Sequence, residues 1–285
     1  MPSLIDIRRR IRSVKNTQQI TKAMKMVSAA KLRRAQERVV AARPYSAMLR
    51  RVLSNVAAAA AGNEDISNAP LLQERPERRI QLILFTSDRG LAGAFNGNLI
   101  KATQRFIEEH PDATIELELI GRKGRDFFRR RTFPISGDHL GLLNKPAYSD
   151  ASNIARKIIQ RFENDEIDSV YVIYNEFKSV ISQTLTVQKV LPVTAPEGEP
   201  VDYLFEQPVE ELMTGLLPKY VDVQVYTAML ETAAAEHAAR MTAMDSATSN
   251  AADVIENLTL YMNRVRQASI TREIIEVVSG ASALE

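Results

Sequence analysis

The chain has 285 residues, 45% of them apolar and 25% charged, which excludes wholesale disorder and leaves room for one compact and one elongated part. It has no cysteine, so disulfides, thiolate metal sites and a cysteine nucleophile are excluded. His110, His139 and His237 are too scattered to form an HExxH-type metal site, and no apolar run approaches the length of about 18 residues needed to cross a bilayer. Without an apolar signal core at its start, the chain is expected to be soluble and unexported. The net charge of +2 conceals an asymmetry. Residues 1–56 carry 14 Lys and Arg against Asp6 and Glu37, a net of +12, whereas 57–207 and 208–285 carry −4 and −6. A basic beginning and an acidic end are natural partners.

From Ser3 to Arg43 there is neither Gly nor Pro, and Pro44 is followed by a second such run to Ala61. This predicts a long helix with a kink or a new segment at Pro44. Its apolar stripe comprises Ile7, Ile11 and Val14, then Ile20, Met24, Val27 and Ala30 beyond the polar patch 16–19. The period is expected to slip at that patch. Residues 63–78 read as a polar linker. A buried strand follows at 79–86 and ends in the Gly-rich turn TSDRGLAGAFNGN. Further on, the pattern predicts a helix over 98–109, a strand over 114–120 and a basic helix over 122–131. A helix over 150–163, capped by Ser149 or Asp150, precedes strands at 170–174 and 180–190. Lys219 to Ser279 is then 61 residues without Gly or Pro, about 92 Å if one helix. Met241, Met244, Thr248, Ala251, Ile255, Leu258, Met262 and Val265 alternate in steps of three and four, a coiled-coil seam.

The expected fold is α/β: a long antiparallel coiled coil of N- and C-terminal helices with an inserted Rossmann-like α/β domain. The expected domains are residues 1–62, 63–207 and 208–285. Gly90, Gly93 and Gly97 make neither the dinucleotide fingerprint nor a phosphate loop, so nucleotide binding is not expected there. Asp88 reads equally as a cap of the turn and as part of a protein contact in which Arg89 meets a partner carboxylate. The basic helix has the charge to hold nucleic acid but no recognised reader motif, and no nucleophile elbow or metal cluster is visible. From these residues alone the chain is a coiled-coil scaffold, with a nucleic-acid-binding coil as a rival, and no catalytic, cofactor or metal site is expected.

Three segments go further: 7–36 (IRRRIRSVKNTQQITKAMKMVSAAKLRRAQ), 86–96 (TSDRGLAGAFN) and 236–284, with ITREIIEVVSGASA at 270–283. They resemble the gamma subunits of F-type ATP synthases. The resemblance implies a non-catalytic rotor shaft inside a hexamer of alpha and beta subunits, with an α/β domain against the epsilon subunit and the membrane c ring. It further implies a peripheral protein at the cytoplasmic face of a bacterial inner membrane, with no nucleic acid or nucleotide bound directly. By the same resemblance, Arg266 and Gln267 form a catch on a beta-subunit loop, and Arg89 and Ala92 lie in a loop meeting the beta subunit. Met24 stands where an added charge disturbs coupling, and Tyr203, Leu204 and Phe205 lie near the c ring. Ala92 stands where many members carry Cys, and Met262 where an aromatic is usual. The Cys-bearing redox insert of the chloroplast type is absent, which excludes thiol control.

Overall fold

The structure of the chain, a computed structural model, describes residues 3–59, 69–194 and 209–282, so Tyr203, Leu204 and Phe205 lie outside the described residues. Helix α1 spans Leu4–Ala59. It is followed by β1 (Arg79–Phe85), α2 (Phe95–Glu109), β2 (Thr114–Ile120), α3 (Arg122–Phe128) and β3 (Ile135–His139). Then come α4 (Tyr148–Glu163), β4 (Ser169–Phe177), β5 (Gln183–Leu191) and α5 (Val209–Ser282). The chain divides into two compact units, Met1–Ser28 with Met241–Glu285, and Ala29–Arg240.

The first unit is an antiparallel pair of helix segments. Lys25 Nζ lies 2.6 Å from Asp245, and Thr21 Oγ1 lies 2.8 Å from Thr248 Oγ1, so the partner number falls as the α1 number rises. On α5 the shielded positions Met244, Thr248, Ala251, Ile255, Leu258, Met262 and Val265 are those of the expected seam. On α1 the expected slip does not occur. Leu4, Ile7, Ile11, Val14, Gln18, Thr21, Lys25 and Ser28 keep an unbroken alternation of three and four, with half-buried Met24 beside Lys25. Ile20 and Val27, expected in the stripe, are 60% and 57% exposed. The polar residues hold the seam because they find partners there: Thr248 Oγ1 also bonds Met244 O at 2.7 Å, and Gln18 Nε2 donates to Thr248 O at 3.5 Å.

The second unit is built on a five-stranded sheet in the order β3-β2-β1-β4-β5, parallel except for β5, which runs antiparallel to β4. Central β1 has Ile80, Leu82, Ile83, Leu84 and Phe85 fully buried, because a parallel strand covered on both faces needs a continuous apolar run. On one face Ile83, Phe85 and Ile120 join Ile154, Ile158 and Phe162 of α4, Leu53 and Val56 of α1, and Leu217, Val221 and Val225 of α5 in one core. Leu82, Leu84, Leu117 and Leu119 alternate to the other face, and α2 packs on β1 and β4 with Leu99 and Phe106 buried.

Several expectations need correction. No new segment begins at Pro44: α1 continues through it, and α5 through Pro218, with buried apolar residues around each proline (Val39 and Leu49, Leu217 and Val221). Helix α4 begins at Tyr148 after Ala147, with no side-chain cap; Asp150 falls instead in the first turn, where its charge suits the helix dipole. Helix α2 starts at Phe95 and α3 ends at Phe128. Strand β3 was not expected, since ISGDH is polar and mostly exposed. It is stabilised from below by buried Glu118, which accepts from Gln81 Nε2 at 2.8 Å and Ser136 Oγ at 3.2 Å and lies 2.7 Å from His139 Nε2. A Cβ on Gly137 would come within 2.7 Å of that carboxylate.

Candidate functional site

In the second unit the loops at the carboxyl ends of β1, β2 and β3 are drawn together by one side chain. Asp88 Oδ1 accepts from Arg122 N at 3.0 Å, capping α3 rather than the helix that follows its own loop. Its Oδ2 accepts from Gly141 N at 3.0 Å and from Asn144 Nδ2 at 3.3 Å. Beneath it, fully buried Thr86 donates from Oγ1 to Ile120 O at 3.1 Å and accepts from Gly124 N at 2.9 Å. This approach needs glycine: Gly121 has φ 97°, and a Cβ there would lie 1.9 Å from Thr86 O. Gly97 lies inside α2; of the two glycines in the loop after β1, Gly93 has φ 57°, and Leu91 takes the same strained region at φ 62°.

The backbone of this loop is held by side chains on two sides. The Ser87 amide is committed to Asn96 Oδ1 at 2.9 Å. The carbonyls of Arg89 and Gly90 accept from Arg240 of α5, from Nη2 at 3.4 Å and Nε at 3.2 Å. Arg240 also donates to Glu236 at 2.7 Å, and the exposures of the two residues are only 7% and 6%. Burial pushes the Glu236 carboxyl upward against the pull of Arg240. Between them on the helix, burial, with Arg240 and Lys31 nearby, pushes His237 down to about 4, so its ring is neutral at pH 7. A second clamp lies at the end of β4. Glu231 accepts from Phe177 N at 2.9 Å and from Arg43 Nη2 at 3.1 Å, and Arg43 also donates to Phe177 O.

Of the residues singled out in the sequence, Arg89 has its side chain exposed and in no ion pair among the described residues, whereas Ala92 is 2% exposed. Ala92 therefore shapes the loop that Arg89 and Leu91 present. In the first unit, Arg266 and Gln267 are exposed just beyond Val265, where the seam ends. Ile274, Ile275, Val277 and Val278 are 57%, 58%, 71% and 58% exposed. The Arg240–Glu236 clamp was missed in the sequence because its residues lie in an Ala-rich stretch that reads as seam. The available signal was the spacing, a carboxylate four residues before an arginine. Among the described residues no group of three or more His, Cys, Asp or Glu is placed to hold a metal, and no helix is long and apolar enough to cross a membrane.

A family model described as ATP synthase matches residues 3–284. The ATP synthase gamma chain of Solibacter usitatus is 66% identical over 286 residues, and that of Desulfitobacterium hafniense 51%, each alignment covering all of both chains. Among solved structures, a chain of the Euglena gracilis mitochondrial ATP synthase (OSCP/F1/c-ring, rotational state 3) aligns with a TM-score of 0.65 and 17% identity. That match covers 99% of this chain and 94% of the other. A chain of the central stalk/c-ring of the Tetrahymena thermophila mitochondrial enzyme aligns with a TM-score of 0.60 and 24% identity, covering 80% and 99%.

Proposed function

The chain belongs to the ATP synthase gamma-chain family, and we propose that it is the central rotor shaft of an F-type ATP synthase, coupling proton flow through a membrane c ring to ATP synthesis and hydrolysis in an alpha/beta hexamer. The observation that carries this reading is the end of α5. Beyond Val265 the helix continues to Ser282 with its described side chains mostly exposed, Ile274, Ile275, Val277 and Val278 among them. A shaft end turning within a sleeve needs an apolar surface that makes few fixed hydrogen bonds.

In this reading residues 1–62 and 208–285 transmit torque, and 63–207 engage the epsilon subunit and the c ring, with Tyr203, Leu204 and Phe205 on the c-ring side. Arg266 and Gln267 hydrogen-bond a beta-subunit loop. Arg89, held out by the Arg240 clamp, meets a second region of beta, with Ala92 setting the loop's shape. Met24, half-buried beside the seam, is a coupling position because a charge there must be paired or left partly desolvated. The chain supplies no reacting group. Its asymmetry biases three beta subunits into different conformations, and the chemistry follows from that bias. It works as a peripheral subunit at the cytoplasmic face of a bacterial inner membrane.

Reconstitution tests this. Mixed with alpha and beta subunits, the chain should yield a stable, asymmetric ATPase, while alone it should hydrolyse nothing. Arg266→Ala with Gln267→Ala should change turnover and leave assembly intact, since each lost charge-assisted bond is worth about 1.5–3 kcal/mol at most. Met24→Lys should keep hydrolysis and lower the protons pumped per ATP. Equal, fully cooperative turnover without the chain would refute the rotor reading.

A further inference from the structure

The second unit contains a basic cavity that the rotor reading does not use. It encloses about 340 Å³, within the range of small-ligand sites, and its lining includes Ala35, Leu143 and Leu230. Lys31, Arg34 and Arg38 line it from α1, and Lys145 lines it from the segment before α4. The three α1 residues are spaced three and four apart, which puts them on one helix face. No carboxylate lines the cavity, and none of the four cations is in an ion pair among the described residues. In the same unit Arg43, Arg79, Arg161 and Arg240 do have carboxylate partners.

His237, also in the lining, shows the same bias toward donors. Its Nδ1 faces Arg240 Nη1 at 3.4 Å, and an arginine only donates, so Nδ1 accepts and the ring proton sits on Nε2. That N–H has no partner among the described residues. The positive surroundings register on the ring itself, since Arg240 and Lys31 add to burial in holding His237 near 4. The lining sets four cations and an imidazole N–H against one neutral side-chain acceptor, the amide oxygen of Asn144. From the geometry we infer that the cavity binds a small, multiply charged oxyanion of the phosphate class, with Arg34 and Arg38 as its forked donors and Lys31 and Lys145 as point charges. The inference concerns the free chain and stands whether or not the rotor reading does.

The test is titration calorimetry on the full chain with inorganic phosphate, pyrophosphate and ADP, each against chloride at matched ionic strength. Saturable one-to-one binding of phosphate or pyrophosphate is expected, and ADP binding at the same residues would identify a nucleotide's phosphates as the source. Arg34→Ala and Arg38→Ala should each weaken binding about tenfold or more. Both side chains are exposed, so the variants should fold as the parent does, and Lys145→Ala, in the segment before α4, provides an independent second readout. Arg129→Ala with Arg130→Ala removes twice the charge of either variant at a place outside the cavity and should leave binding unchanged. No saturable binding, equal loss in that control pair, or capture of an acidic peptide but not phosphate would overturn the proposal.

Discussion

The two units are stabilised in different ways. In the unit of residues 29–240 a continuous apolar core packs on the sheet, and the buried charges, Arg240 with Glu236 and Glu231 held by half-exposed Arg43, are hydrogen-bonded at several atoms. In the unit of residues 1–28 and 241–285 the seam is one side chain wide, and Gln18, Thr21, Thr248 and the exposed Lys25–Asp245 pair occupy part of it. A sheet covered on both faces can hold a loop in a strained, presented conformation. Two helices that meet along a narrow line cannot, but they present most of their surface outward. The contrast predicts where substitutions will hurt.

The largest effect should come from the buried clamp. Arg240→Ala leaves Glu236 without its cation in a site that already disfavours its ionised form, and frees the Arg89 and Gly90 carbonyls. Breaking a buried pair in this way costs about 3–5 kcal/mol, read by chemical denaturation, and Arg240→Met with Glu236→Leu should recover much of it. If Arg240→Ala cost no more than a surface substitution, the contrast would fail.

Next in size is a pH response confined to one unit. All three histidines lie in residues 29–240 and none in the coil. His237, held down to about 4 by burial, binds a proton more readily unfolded than folded. Its contribution is therefore complete above about 6.5 and is lost progressively as pH falls from there toward 4. His237→Gln should flatten the stability profile of that unit across this window. An unchanged profile would show that the ring is not buried in its neutral form.

The coil should respond weakly. Thr21→Val with Thr248→Val replaces both partners of one seam hydrogen bond, and should be within about 1 kcal/mol of neutral or mildly stabilising by thermal melting. Asp245→Asn removes an exposed charge from the Lys25 pair and should cost about 0.5 kcal/mol or less, a difference that salt erases. A large, salt-independent loss there would mean that the seam depends on that pair.

Sequence by itself determined the long helices, since uninterrupted runs with a three-and-four period have no other way to bury their apolar side. It determined β1, whose run Ile80-Gln-Leu-Ile-Leu-Phe85 has the length and composition of a strand covered on both faces. Motif resemblance singled out Arg89, Ala92, Arg266 and Gln267 without geometry. Tertiary structure decided what local pattern cannot encode. Polar Gln18 and Thr21 lie in the seam while Ile20 and Val27 face outward, because seam positions follow the partner helix's spacing and tolerate polar groups whose hydrogen bonds are met across it. Strand β3 exists because Glu118, far away in sequence, meets Ser136 and His139. Asp88 caps a helix 34 residues on, and Arg240 fastens a loop 150 residues before it. Each of these is a long-range hydrogen bond made by a side chain whose own neighbourhood in the sequence carries no sign of its partner.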